Sequence, residues 1–124
     1  MKTNELRIGN HILLDGDEIT VTGISSSTIW WKDGFDTISM TNTIITGIPL
    51  TEKWLLKFNY TRREKRNTKY YQYSIDEVNR VNDHGDGSFW YLRYNGSLRI
   101  KYVHELQNLY FALTGKELYE NYTR

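Results

Sequence analysis

The stretch FWYLRYNGSLRIKYVHELQNLYFALTGKEL, residues 89–118, decides the fold. Its first half alternates large apolar and polar residues on either side of Asn95-Gly96. That dipeptide favours the positive backbone angles of a tight two-residue hairpin turn. The spacing predicts strands over Phe89–Tyr94 and Ser97–Val103. It sets Tyr91 opposite Ile100, Phe89 opposite Tyr102 and Arg93 opposite Leu98 on one face. The other face pairs Trp90 with Lys101 and Leu92 with Arg99. The second half changes period. Leu106, Leu109, Tyr110 and Leu113 recur at helical spacing from about His104 to Thr114, and Gly115 is placed to end the helix in the left-handed region. His104 falls at the strand–helix junction, where its ring is expected to cap backbone N–H groups. A hairpin running into an amphipathic helix makes the chain α+β.

Upstream, Tyr70–Val78 alternates. Tyr71, Tyr73 and Ile75 face one way; Tyr70, Gln72 and Ser74 face the other. Residues 82–87, rich in Asp and Gly, read as a loop. Thr61–Lys69 is polar and basic and also reads as a loop. Pro49-Leu50-Thr51 opens a two-turn helix, with Thr51 as N-cap, Leu50 stapled against Leu55, an apolar face of Trp54, Leu55 and Phe58, and Asn59 as left-handed C-cap.

The first fifty residues read as a β-meander. Leu6–Leu14 alternates, Asp15-Gly16-Asp17 turns, and Ile19, Val21 and Gly23 continue on a second strand. Ser25-Ser26-Ser27 is a loop. Thr28–Lys32 and Phe35–Met40 flank Asp33-Gly34, a second hairpin signal, and Thr43–Ile48 supplies a fifth short strand. Five such strands suggest an SH3-like, partly open barrel. The expected core comprises Ile8, Ile12, Val21, Trp54, Leu55, Phe58, Ile75, Tyr91, Ile100, Leu106, Leu109 and Leu113. One domain, residues 1–124, is expected at this length.

The chain contains no cysteine, which removes disulfides, thiolate metal sites and cysteine nucleophiles together. No apolar h-region opens the sequence and no run approaches a membrane span, so a cytoplasmic protein without a membrane partner is expected. The loop at Asp83-His84-Gly85-Asp86-Gly87 does not fit a calcium loop. Counted from Asn82, position 3 is His84 and position 12 is Arg93, where a closing Glu is needed. The three histidines lie in separate contexts, and no nucleophile elbow, phosphate loop or zinc-protease motif is present. No catalytic residue, metal or cofactor is therefore expected, and the chain reads as a non-enzyme.

Three segments resemble a group of small proteins of Bacteroidetes and their phages and prophages. They are Asn4-Glu5-Leu6-Arg7-Ile8-Gly9-Asn10, then residues 48–58 (IPLTEKWLLKF), then residues 100–118 (IKYVHELQNLYFALTGKEL). Where the group has Gly after its first helix, this chain has Asn59. The resemblance implies a small cytoplasmic accessory protein of mobile-element origin acting in the bacterial host, and it carries over no catalytic residue.

Charge supplies the candidate site. Residues 1–50 carry three Lys/Arg and six Asp/Glu, residues 51–70 seven and two, and residues 71–124 six and seven. The basic block Arg62, Arg63, Lys65, Arg66 and Lys69 is the one cluster. In the expected sheet Tyr70, Trp90, Tyr94, Arg99 and Lys101 share the face opposite the core. Basic residues interleaved with rings suit an acidic protein surface or an unpaired nucleic-acid strand. The favoured reading is a non-catalytic phage or prophage protein that binds another protein, inhibition of a host-defence system in the manner of an anti-CRISPR being one form of that role. Two alternatives stand beside it: a small nucleic-acid-binding module using the basic loop and aromatic face, and a virion or assembly component. Oligomeric state and partner identity stay open at this stage.

Overall fold

The computed structural model describes residues 5–25, 28–32, 34–37, 45–64, 71–93 and 96–120. The architecture is α+β, with two open antiparallel sheets, two helices and no closed barrel. The chain groups into two compact units. The first takes in Met1–Pro49 and Tyr102–Asn108, the second Leu50–Lys101 and Leu109–Arg124.

In the first unit the strands are β1 (His11–Leu14), β2 (Asp17–Ile24), β3 (Thr28–Trp31), β4 (Gly34–Thr37) and β5 (Ile45–Gly47). Their order is β4-β3-β2-β1-β5, so the meander returns its fifth strand beside its first in an open sheet whose edges are β4 and β5. Asp15 and Gly16 both have positive φ and close β1 onto β2, with Leu14 paired to Asp17. Alternation buries Ile12, Leu14, Val21 and Ile29, and Leu6 and Ile45 complete this core.

The helix α2 (Val103–Thr114) begins in the first unit. Glu105 Oε1 accepts the N–H of Tyr102 at 3.0 Å, half of a capping box. Pro49 bridges Tyr102, and Val103 donates to the Ile48 carbonyl. Two amides, the buried Gln107 and the half-buried Asn108, then clasp the segment before β1. Gln107 Oε1 accepts the His11 N–H at 3.0 Å, and its Nε2 donates to the Gly9 carbonyl at 2.9 Å. Asn108 accepts from Asn10 Nδ2 at 2.9 Å and donates to the Glu5 carbonyl at 3.0 Å. All three segments that carry the resemblance thus contribute residues around the start of α2.

The second unit opens with α1 (Glu52–Lys57) and continues as β6 (Thr61–Glu64), β7 (Tyr71–Ser74), β8 (Arg80–Asp83), β9 (Phe89–Arg93) and β10 (Gly96–Ile100), in the order β10-β9-β8-β7-β6. Asn59 follows α1 with φ of 70°, the left-handed stop expected of it. Thr51 stands at the N-cap with extended backbone but makes no side-chain cap. One sheet face buries Tyr73, Val81, Phe89, Tyr91 and Ile100, and Leu55, Phe58, Tyr60, Tyr110 and Leu118 are buried in the same unit. The later part of α2 lies on this core face, where Leu109 and Leu113 meet Tyr91 and Leu98 around a shallow cavity of about 230 Å³.

Several expectations are corrected. Residues 6–10 are not strand. Gly9, with φ of 97°, turns the chain, Arg7 N–H is bound by Asn10 Oδ1, and Ile8 is 62% exposed rather than core. Residues 61–64 are a strand, not a loop. The strand expected to Val78 ends at Ser74, because Asp76 collects the N–H groups of Val78 and Asn79 and bends the chain into β8. Asn82 and Asp83 belong to that strand, and the loop begins at His84. The 28–37 hairpin closes on Trp31 paired with Gly34, one residue earlier than Asp33-Gly34 would place it.

The last hairpin closes on Arg93 paired with Gly96, so Trp90 faces Arg99, Tyr91 faces Leu98 and Phe89 faces Ile100. Each partner moves by two residues, which preserves the faces. In the helix the buried stripe is Val103, Leu106, Gln107 and Tyr110, leaving Leu109 half-buried and Leu113 exposed; Ile75 is also half-buried. His104 caps nothing through Nδ1, which is buried without a partner among the described residues. The remaining meander expectations at residues 26–27 and 38–44 lie outside the described residues.

Candidate binding face

Antiparallel pairing puts directly opposed residues on the same side of a sheet. Registers of the second sheet align Arg63 with Gln72, Gln72 with Asn82, Asn82 with Trp90 and Trp90 with Arg99. One row therefore crosses all five strands: Arg63, Gln72, Asn82, Trp90, Arg99. It lies opposite the face that buries Tyr73, Val81 and Tyr91. At about 4.8 Å between strands, its ends stand roughly 19 Å apart along the sheet. Arg80, two residues from Asn82 on β8, shares this side.

The row is ordered at its centre and open at its ends. Gln72 Nε2 donates to Asn82 Oδ1 at 3.0 Å, and Gln72 is buried. Trp90 is half-buried, and the His84 ring stacks on it with centroids 5.6 Å apart and planes 23° from parallel. The hairpin holds His84 there: its N–H donates to the Ser88 carbonyl at 3.0 Å, and Gly85 N–H donates to Asp83 Oδ1 at 2.8 Å. Arg63 and Arg99 are exposed, and neither guanidinium makes an ion pair or hydrogen bond among the described residues. Arg80 is exposed, with its guanidinium turned onto the Glu77 carbonyl.

No Asp or Glu lies on this side among the described strand residues; Asp83 alternates to the other side. Asp86 stands in the loop that follows β8, its carboxyl held below the usual range by the Ser88 hydroxyl and N–H.

Neighbouring arginines take opposite roles. Arg62 is paired to Tyr73, on the core side of β6. Its guanidinium reaches Glu52 of α1 at 3.3 Å and lies 3.8 Å above the Tyr71 ring. Burial, then the Glu52 charge, pushes the Tyr73 hydroxyl up to about 12. Arg62 thus ties helix to sheet, while Arg63 faces the other way. Of the remaining sequence candidates, Lys101 is exposed just after β10. Lys65, Arg66, Lys69, Tyr70 and Tyr94 lie outside the described residues. Gln72, Asn82, His84 and Arg80 were not among the candidates. Alternation would have found Gln72 and Asn82 once β6 and β8 were known to be strands.

A second concavity, of about 250 Å³, lies in the first unit beside Thr46, Gly47, Tyr102, His104 and Glu105. Tyr102 stacks on His104 at 5.7 Å. Burial holds the His104 imidazole below its usual value, against the opposing pull of Glu105 and Glu5. Among the described residues no group of three or more His, Asp or Glu could hold a metal ion, and no helix is long and apolar enough to cross a membrane.

No protein-family model, curated protein or solved structure matches the chain.

Proposed function

We propose that this chain is a non-catalytic binding protein that captures an anionic partner on the polar face of β6–β10. The observation that carries the reading is the row Arg63–Gln72–Asn82–Trp90–Arg99. It combines exposed guanidinium groups at both ends, an aromatic ring stacked against His84, and no acidic neighbour among the described strand residues. Such a surface steers an anion in by charge and holds it by a central ring. The resemblance to phage and prophage proteins supports an accessory role in a bacterial host, where a small protein acts by occupying a surface.

The test is affinity capture from a bacterial host lysate with the full chain, compared with charge reversal on and off the face. Arg63→Glu with Arg99→Glu should abolish capture of the ligand. Lys53→Glu with Lys116→Glu, a change of equal charge off the row, should retain it. Capture that survives reversal of Arg63 and Arg99 would overturn the assignment of this face.

A further inference from the structure

Resting on that reading, we infer that the partner of the polar face is an unpaired nucleic-acid strand, laid along the row from Arg63 to Arg99 across the β-strands. Three features favour it over an acidic protein surface. First, the face offers guanidinium groups at its ends and a stacking surface between them. A polynucleotide supplies the same alternation of phosphate and flat base. Second, the ring is preorganised. Trp90 is backed by His84, and His84 is fixed by the hairpin hydrogen bonds, so a base extends an existing stack rather than ordering a loose side chain.

Third, the neighbouring amides are tied to each other by one hydrogen bond, Gln72 Nε2 to Asn82 Oδ1. This fixes the half-buried Asn82 beside Trp90, where its Nδ2 donor suits a base edge, while buried Gln72 holds it in place. A base edge is reachable in this way only when the strand is unpaired and its bases are splayed. A duplex would present phosphates to Arg63 and Arg99 but no ring to Trp90. The Asp86 carboxylate at the hairpin tip repels phosphate, which keeps the backbone on the line of the arginines.

The experiment is fluorescence anisotropy of labelled oligothymidylate and oligouridylate of about 12 nucleotides, and of a duplex of equal length, titrated with the full chain. Tryptophan emission is followed in parallel, in the parent chain and in Trp90→Phe, so that the contribution of Trp90 is read by difference from the other three tryptophans. The expected result is binding to the single strands in preference to duplex, with quenching of tryptophan emission. Trp90→Ala should weaken binding about tenfold, and Trp90→Phe, which keeps a ring, should recover part of the loss. Arg63→Ala with Arg99→Ala should also weaken it about tenfold and lower the slope of log affinity against log salt by about 1.4, the value for two phosphate contacts on a single strand. Arg62→Ala, whose side chain is committed to Glu52, should leave affinity within about twofold.

Duplex preference, absence of oligonucleotide binding, or equal losses in Arg62→Ala and Arg63→Ala would overturn the inference. If oligonucleotides do not bind but a nuclease-resistant protein is captured and then lost with Arg63→Glu and Arg99→Glu, the nucleic-acid assignment fails and the binding face stands. If neither ligand depends on those arginines, both fail. Circular dichroism and urea midpoints of each variant separate lost binding from lost folding.

Discussion

Tyr102 lays its ring where a side chain on Gly47 would have to stand. A Cβ built on Gly47 would fall 2.6 Å from Tyr102 Cδ1 and 2.9 Å from Tyr102 Cβ. The close approach brings the end of β5 against the residue that precedes α2, and the same Tyr102 ring stacks on His104. Gly47→Ala must displace that ring. It is expected to destabilise the protein by about 1–3 kcal/mol, the usual cost of overpacking. The urea midpoint should fall accordingly. In the Tyr102→Ala background the same substitution should cost much less, and a full additive loss would show that the ring is not the obstacle.

Gln107 is a buried polar residue on an otherwise apolar helix stripe, and its amide serves both His11 N–H and the Gly9 carbonyl. Gln107→Leu keeps the volume but leaves both backbone groups without that partner. A loss of about 2 kcal/mol is expected, because a stranded donor or acceptor costs more than the average hydrogen bond contributes. Amide exchange at His11 should accelerate in the variant. Unchanged exchange would mean that Gln107 does not hold this segment.

Tyr91 donates its hydroxyl proton to Asn79 Oδ1 at 2.6 Å, and Asn79 in turn donates to Asp76 through its backbone N–H and Nδ2. This chain fixes the bend between β7 and β8 to the core face of β9. Tyr91→Phe removes one hydroxyl and orphans a buried acceptor. The expected cost is about 1–3 kcal/mol in urea unfolding, with no change in the slope of the transition.

His104 gives a pH dependence whose sign follows from its burial. The folded-state value lies below the usual 6.5, with burial as the main cause and Glu105 and Glu5 opposing it. The unfolded chain therefore binds the proton more readily between the two values. Stability from this residue is fully present above about pH 6.5 and is lost as pH falls toward the folded-state value. The drop in unfolding free energy between about pH 7.5 and 5.5 should be smaller in His104→Gln than in the parent chain. An identical drop in both would assign the pH dependence to other groups.

Legibility from sequence followed the strength of local pattern. The hairpin-to-helix run, the Asp15-Gly16 turn and the Asn59 stop each carry their own backbone chemistry, so they read correctly as elements, although the last hairpin pairs two residues off the expected register. The strand β8 carries a single buried apolar residue, Val81, which is too little alternation to announce a strand that pairs on both sides. The strand β6 is the edge of its sheet and is made of Thr, Arg and Glu, a composition suited to an unpaired edge and hard to tell from a loop. The candidate face was half legible for the same reason. Trp90 and Arg99 emerged on one side by period-2 spacing, whereas Arg63 joined them only when β6 and β8 completed the row. Gln107 and Asn108 fall outside the apolar stripe that the spacing picks out, and no local pattern says which loop their amides will bind.

The doublet Arg62-Arg63 has a consequence for how this surface can change over time. One guanidinium is taken up on the helix side, by Glu52 and Tyr71, and its neighbour points to the other side of the sheet. Because the two residues are chemically the same, the doublet is symmetric under exchange. A strand that slipped by one position at this edge would still present one arginine to the helix and one to the outer row. The edge is in that sense frame-tolerant, whereas Trp90, with no twin beside it, is not: a one-residue insertion in β9 would bury its role along with its ring.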